Sequence, residues 1–433
     1  MACPSECICS WNSTNATTDC SSMNLYTING DNVDNSTTYL DLSNNHLTEL
    51  PDLDVQYSSL VTIDARRNGD LVHIPTWVSN LANLTSLLVD KGSTCCVLEK
   101  EMLAQNGTLG KHWVETVCQP TVPNTECTDH LLDIFTLVLY GLVAAASFII
   151  NTWVLVVLYG TKNRRTTPTQ LLMGQFPVSN LLMTFYTVVL LERSVSFYNE
   201  YHYHQESWIH SQLCTLCGFI FITSNLMSTQ LYLLTIIEMY IKIAFPFKDH
   251  LHLTGKKLNY AILILWIISL SVATLPLFKS VRIGMYNVTS MCIPVYSGTL
   301  FGLETNIWLR IYASILTLCF ETIVVLLILL LRSVSHQRHS NTLTQENRRL
   351  VYNVIFMIAI HIVLWSVLLI CLFMSTFGTG ELGYYGRIGF SRLAVLETIL
   401  NVTVYIIRKR TFQEDTKRFI KLFFEKIRCT SVL

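Results

Sequence analysis

Residues 315–331 read Ile-Leu-Thr-Leu-Cys-Phe-Glu-Thr-Ile-Val-Val-Leu-Leu-Ile-Leu-Leu-Leu, an apolar run holding one charged side chain. Extended to 307–332, it exceeds the roughly 20 residues that a helix needs to cross a bilayer. Residues 131–159, ending in Val-Leu-Val-Val-Leu-Tyr, are a segment of the same kind. Working outward, five more follow, at 168–191, 212–243, 257–278, 350–374 and 383–407, with polar residues in the second and seventh. The expected fold is therefore mainly α, a bundle of seven transmembrane helices over 131–407. Composition agrees, because 51% of the 433 residues are hydrophobic and 14% are charged, against about 25% charged in a soluble domain. A single water-soluble globule is excluded.

The formal net charge of zero gives no sign of a nucleic-acid partner, but it conceals a segregation. Residues 1–129 hold 16 acidic against 5 basic residues, and eight of the 14 cysteines. The segments expected on the inner side carry 19 Lys and Arg, eight of them between Arg408 and Arg428, which is the positive-inside pattern. Asn-x-Ser/Thr acceptors fall at Asn12, Asn15, Asn35, Asn83, Asn106 and Asn287, all on the opposite, glycosylated side of that topology. The exception, Asn401, lies within the seventh apolar segment. The N-terminus is thus expected outside the plasma membrane. Met-Ala-Cys-Pro-Ser-Glu-Cys has no basic start and no apolar run, so the expectation is that a cleavable signal is missing from this sequence.

Residues 39–51, Tyr-Leu-Asp-Leu-Ser-Asn-Asn-His-Leu-Thr-Glu-Leu-Pro, carry the leucine-rich-repeat pattern, in which a short strand points its leucines inward and an asparagine ladders with its neighbour. Aligned copies follow 23 to 24 residues apart, at Ile63-Asp64-Ala65 with Asn68, and at Leu87-Leu88-Val89. Cys3, Cys7, Cys9 and Cys20 have the spacing of the cysteine-bonded cap of extracellular repeats, whose disulfides compensate for a small core. The expected organisation is a cap over 1–22, a short α/β solenoid over 23–94, and a hinge over 95–130 containing Cys95, Cys96, Cys118 and Cys127. Four cysteines allow three connectivities, and the sequence does not choose among them. The module reads as a ligand- or partner-binding surface, with a plain spacer as the alternative.

At the inner end of the third helix stands Glu238-Met239-Tyr240-Ile241-Lys242-Ile243-Ala244-Phe245-Pro246-Phe247. It resembles the acidic-Arg-Tyr motif, with its downstream Pro, of rhodopsin-like G-protein-coupled receptors. Together with the capped repeats, the cysteine hinge and Glu126-Cys127-Thr128-Asp129 before the first helix, the chain is similar to leucine-rich-repeat receptors of the glycoprotein-hormone and relaxin group. That resemblance implies a Cys214–Cys292 disulfide and a G-protein surface of Glu238, Met239, Tyr240, Pro246 and Phe247. It also implies a switch core of Asn151, Asn180, Ser228, His361, Trp365, Glu397, Asn401 and Tyr405.

The departures are specific. Met239 stands in place of the family's arginine and offers neither a charge nor a fork of donors. The sequence has no proline after Pro294, so three helix-bending prolines are missing; the seventh-helix motif becomes Asn401-Val402-Thr403-Val404-Tyr405. Asn180 stands where the family has Asp, Glu397 where it has Asn, and His361 where it has Asp. A His361–Glu397 contact follows, and with it a site for sodium (Asn180, Ser228, Glu397) or a proton, the alternative being a purely structural polar core. In the tail, over 408–433, Phe412, Phe419, Ile420, Phe423, Phe424 and Ile427 recur at helical spacing between basic residues, the pattern of a helix lying on membrane lipid. Cys429 follows as a lipidation candidate, while Cys217, Cys319 and Cys371 read as packing residues.

The resemblance implies a receptor for an extracellular peptide or protein ligand, acting on a heterotrimeric G protein. The alternatives are a non-signalling decoy of the same fold, suggested by Met239 and the lost prolines, and a proton-coupled transporter using Glu321, His361 and Glu397. The transporter would call for internal repeats and broken helices, which the sequence lacks. No metal spacing, phosphate loop or nucleophile motif stands out, so neither an enzyme nor a cofactor is expected.

Overall fold

The computed structural model describes residues 3–11, 16–28, 33–51, 53, 59–69, 71, 73–122, 131–160, 168–253, 255–277, 290–293, 306–339, 345–377, 389, 392–400, 402–403, 406 and 412–421. These form two compact units, one of residues 1–130 with 197–206, the other of 131–196 with 207–433.

The first unit is built on a six-stranded sheet in sequential order: β1 (Ile8–Trp11), β2 (Ala16–Asp19), β3 (Thr37–Asp41), β4 (Thr62–Asp64), β5 (Ser86–Lys91) and β6 (Cys118–Val122). The β1–β2 pair is antiparallel and the rest are parallel. Leu40 lies beside Ile63, and Ile63 beside Leu87, so the sequence spacing of 23 to 24 residues is also the strand register. Leu40, Leu42, Leu47, Ile63 and Leu87 point into one core. The sheet runs past residue 94, where the repeats were expected to end, because β6 pairs with β5 and a 26-residue helix, α1 (Gly92–Val117), lies between them. Val97, Leu98, Met102 and Val114 of α1 are buried, closing the exposed end of the leucine core. Disulfides Cys3–Cys9 and Cys7–Cys20 fasten one end of the unit, and Cys95–Cys118 ties α1 to β6 at the other. Of the three hinge connectivities, the structure thus selects the one containing Cys95–Cys118. Cys96 is also disulfide-bonded, and Cys127 lies outside the described residues.

The second unit holds α2 (Ile134–Gly160), α3 (Pro168–Ser196), α5 (Gln212–Ala244), α6 (Lys256–Thr274), α7 (Asn306–His339) and α8 (Gln345–Phe377). These are six helices long and apolar enough to cross a membrane. Of the seventh expected span, 383–407, the helical residues 392–400 (α9) are described. A short helix, α4 (Tyr201–Ile209), precedes α5. α5 is the central helix, packing on α3, α6, α7 and α8, with Phe176, Tyr232, Met239, Ile243, Leu330 and Ile358 in the shared core. Its start is set by Ser211, whose side chain accepts the Cys214 N–H at 3.1 Å, an N-cap. It ends at Phe245, just before Pro246, because the residue preceding a proline is driven out of helical backbone. The tail helix over 412–421 (α10) buries Phe412 and leans Phe419 on Trp153 of α2, ring centroids 6.0 Å apart. A Cβ at Gly160 would lie 2.8 Å from the Phe419 ring, so a side chain there would require that ring to shift.

Candidate functional site

Three groups of buried polar side chains join the helices of the membrane unit. Asn151 of α2 donates from Nδ2 to the Ser147 carbonyl at 2.7 Å and to the Thr398 carbonyl of α9 at 3.3 Å. Asn180 of α3 donates to Asn151 Oδ1 at 2.9 Å and to the same Thr398 carbonyl at 3.0 Å. One backbone oxygen therefore receives amides from two other helices. Ser147 and Thr184 add a 2.7 Å hydroxyl contact between α2 and α3.

The second group joins α3 to α5. The Ser179 hydroxyl lies 3.0 Å from that of Ser228 and donates to the Ser224 carbonyl at 2.9 Å, while the Ser224 hydroxyl donates to the Ser179 carbonyl at 2.8 Å. The third group joins α8 to α9. His361 Nδ1 lies 2.8 Å from Glu397 Oε1, and Trp365 Nε1 donates to the same oxygen at 3.4 Å. His361 is wholly buried, and its ring stacks on Tyr232 of α5 at 3.8 Å between centroids. A buried carboxylate is costly in a membrane unless it is paired and hydrogen-bonded, and the indole and imidazole supply both partners. The three residues read as possible sodium ligands thus have separate partners: Asn180 with Asn151 and Thr398, Ser228 with Ser179, and Glu397 with His361 and Trp365. Asn401 and Tyr405 lie outside the described residues.

At the other end of α5, Glu238 pairs with Lys242 one turn along the same helix. Glu238 and Met239 are each 1% exposed, so neither presents surface in this conformation, and Tyr240 is half-buried. Pro246 is exposed, and Phe247, beyond the helix end, is 96% exposed. The loop segment 290–293 is pinned by the Cys214–Cys292 disulfide, by Trp208 Nε1 donating to the Ser290 carbonyl at 2.7 Å, and by the Tyr186 hydroxyl donating to the Met291 carbonyl at 3.0 Å.

In the first unit the strand face carries Tyr39, Asp64 and Arg66. Arg66 Nε donates to Asp64 Oδ1 at 2.9 Å, and the Tyr39 hydroxyl donates to Asp64 Oδ2 at 3.4 Å. Burial pushes the Asp64 carboxyl up, but the hydrogen bonds and charge of Arg66 outweigh it and hold the group below its ordinary 3.8. Burial, then the charges of Asp41 and Asp64, raise Tyr39. Of the glycosylation candidates, Asn35 and Asn83 are exposed and Asn106 lies within α1. Asn12, Asn15, Asn287 and the lipidation candidate Cys429 fall outside the described residues.

Several partners carry no sequence signal of their own. Tyr232, Ser179, the Thr398 carbonyl, the Trp266–Gln175 hydrogen bond of 3.2 Å and the Asp133–Arg392 pair emerge only once helices distant in sequence are packed. Glu397 and His361 could be singled out in advance because ionisable residues inside apolar spans are rare.

Residues 150–406 match the profile of the 7 transmembrane receptor (rhodopsin family). The chain is 24% identical over 252 residues to relaxin receptor 1 of Homo sapiens, an alignment covering 56% of this chain and 32% of that protein. It is 24% identical over 168 residues to a probable glycoprotein hormone G-protein coupled receptor of Anthopleura elegantissima, covering 39% of this chain and 18% of that protein. The chain thus spans about a third or less of the length of these relatives. Helices α3 to α9, the buried asparagine pair and the pinned loop lie in the matched region, and the chain belongs to the rhodopsin family of seven-transmembrane receptors.

Proposed function

We propose that this protein is a plasma-membrane receptor whose N-terminal unit lies outside as a short leucine-rich-repeat module, takes a peptide or protein ligand, and acts on a G protein at the inner face. The observation that carries the reading is the joining of a disulfide-fastened sheet, with its 23-to-24-residue register and Asn45 and Asn68 amides bonded to the carbonyls just past the strand ends, to a rhodopsin-family unit. The acidic charge of residues 1–129 suits a cationic ligand, and the basic inner segments support the orientation. Pro246, with Phe247 projecting beside it, forms the docking point for the G protein.

A second reading, a non-signalling receptor of the same fold, is favoured by one observation, the burial of Met239 where the resemblance leads one to expect arginine. Expression with a panel of G proteins, alongside Met239→Arg, separates the two. Second-messenger output from the natural chain supports the receptor reading; output from neither chain supports the decoy. The sodium-or-proton reading of the switch core rests on Glu397, and Glu397→Gln is expected to alter the sodium or pH dependence of that output. Identical dependence in the variant leaves the core with a structural role alone.

A further inference from the structure

Asp133 is the third residue after the end of the N-terminal unit, and its side chain makes two kinds of contact. Its Oδ2 accepts the Thr136 N–H at 3.1 Å, capping α2. Its Oδ1 receives Arg392 Nη2 of α9 at 2.6 Å, while Arg392 Nε donates to the Thr136 hydroxyl at 2.7 Å and the guanidinium lies 5.2 Å over the Phe135 ring. One carboxylate both starts α2 and holds α9. Five residues along α9, Glu397 receives His361 and Trp365 of α8. α9 therefore carries two side-chain attachments, one to the start of α2, just past the first of the points where the chain passes between the two units, and one to the middle of α8.

A partly exposed ion pair contributes little stability, and a helix already held by Asn151 and Asn180 needs little more. A guanidinium fork is directional, however, so its worth changes sharply when its partner moves. We propose that the Asp133–Arg392 clasp is the input through which movement of the N-terminal unit reaches α8, with α9 as the rigid connector between two discrete attachments. This rests on the receptor reading for its physiological meaning, but not for its test.

Asp133→Asn keeps a side-chain oxygen that can cap α2, since Asn and Asp cap comparably, but removes the charge and the second acceptor oxygen, the one that receives Arg392. Arg392→Gln removes the other partner, and Arg392→Lys keeps the charge. The full chain, purified in lipid nanodiscs with Cys217, Cys319, Cys371 and Cys429 replaced by alanine, is labelled with an environment-sensitive fluorophore at Tyr352→Cys, an exposed position on α8. Both charge-removing variants are expected to shift the label's emission alike, their double variant by no more than either alone, and Arg392→Lys, which keeps the charge but loses the fork, by nearly as much. In cells, ligand-independent output per surface receptor is expected to change by about fivefold, the low end of allosteric coupling. Unchanged emission in both single variants, additive shifts in the double, or a loss of thermal stability without an emission shift would each overturn the clasp as an input. An emission shift in a chain that drives no G protein would leave the clasp standing and remove the signalling reading.

Discussion

Buried asparagines donate to backbone carbonyls in both halves of the molecule, but to different ends. In the N-terminal unit, Asn45 Nδ2 donates to the Cys20 and Leu42 carbonyls at 2.8 and 3.0 Å, and Asn68 Nδ2 to the Leu42 and Ala65 carbonyls at 2.9 and 3.1 Å. In the membrane unit, Asn151 and Asn180 converge on the Thr398 carbonyl. The first pair terminates strands whose backbone groups would otherwise be buried and unpaired. The second pair joins helices whose backbone groups are already satisfied. An amide that completes an unfinished backbone should matter more than one that fastens finished elements, and that difference can be measured.

The largest effect is expected at Asn68. Asn68→Ala strips the side-chain partner from the Ala65 carbonyl and from the Leu47 N–H, which now donates to Asn68 Oδ1 at 3.0 Å, while the Leu42 carbonyl keeps Asn45. Leaving such groups unpaired costs about 2–3 kcal/mol. Hydrogen exchange across β3 and β4 of the full chain should quicken by roughly 30-fold or more, and an unchanged rate would break the comparison. Asn180→Ala should cost only about 1 kcal/mol, the upper range of interhelical hydrogen bonds in membranes. Thermal unfolding in detergent checks this, and a loss as large as that at Asn68 would make the two amides equivalent.

The smallest effect belongs to Asp64→Asn. Because the folded carboxyl titrates below its ordinary 3.8, its contribution is present above that value and is lost as pH falls through the lower, folded one. Arg66 is half-exposed and screened by solvent, so the contribution is below about 1 kcal/mol. The variant should be slightly less stable at neutral pH and equal to the natural chain once the pH falls well below 3.8. A gap that persists in strong acid would show that packing, not charge, fixes Asp64.

The spans of the membrane unit were legible because hydropathy is a local property, and the strand register because the leucine pattern recurs. α1 was not, since Gly107, Gly110 and a run of polar residues disguise a helix whose Leu98, Met102 and Val114 face the leucine core. α4 is too short and too rich in His and Tyr to give a periodic signal. Within the site, Glu397 and His361 stood out as ionisable residues in apolar segments. Arg392 and Asp133 did not: Asp133 sits at the start of its segment, where a charge is ordinary, Arg392 lies inside a seventh segment already interrupted by polar residues, and 259 residues separate them.

Glu238 spends its charge on Lys242 within its own helix, whereas the side-chain tie of α8 to α9 lies at His361. α8 is 33 residues long, about 50 Å, and His361 is near its centre. A rod held at its end resists swinging with its full length as lever; a rod held at its centre keeps its place yet turns readily about that point. Small rotations there move the two ends in opposite directions, so a shift of α8 at one membrane face is returned at the other.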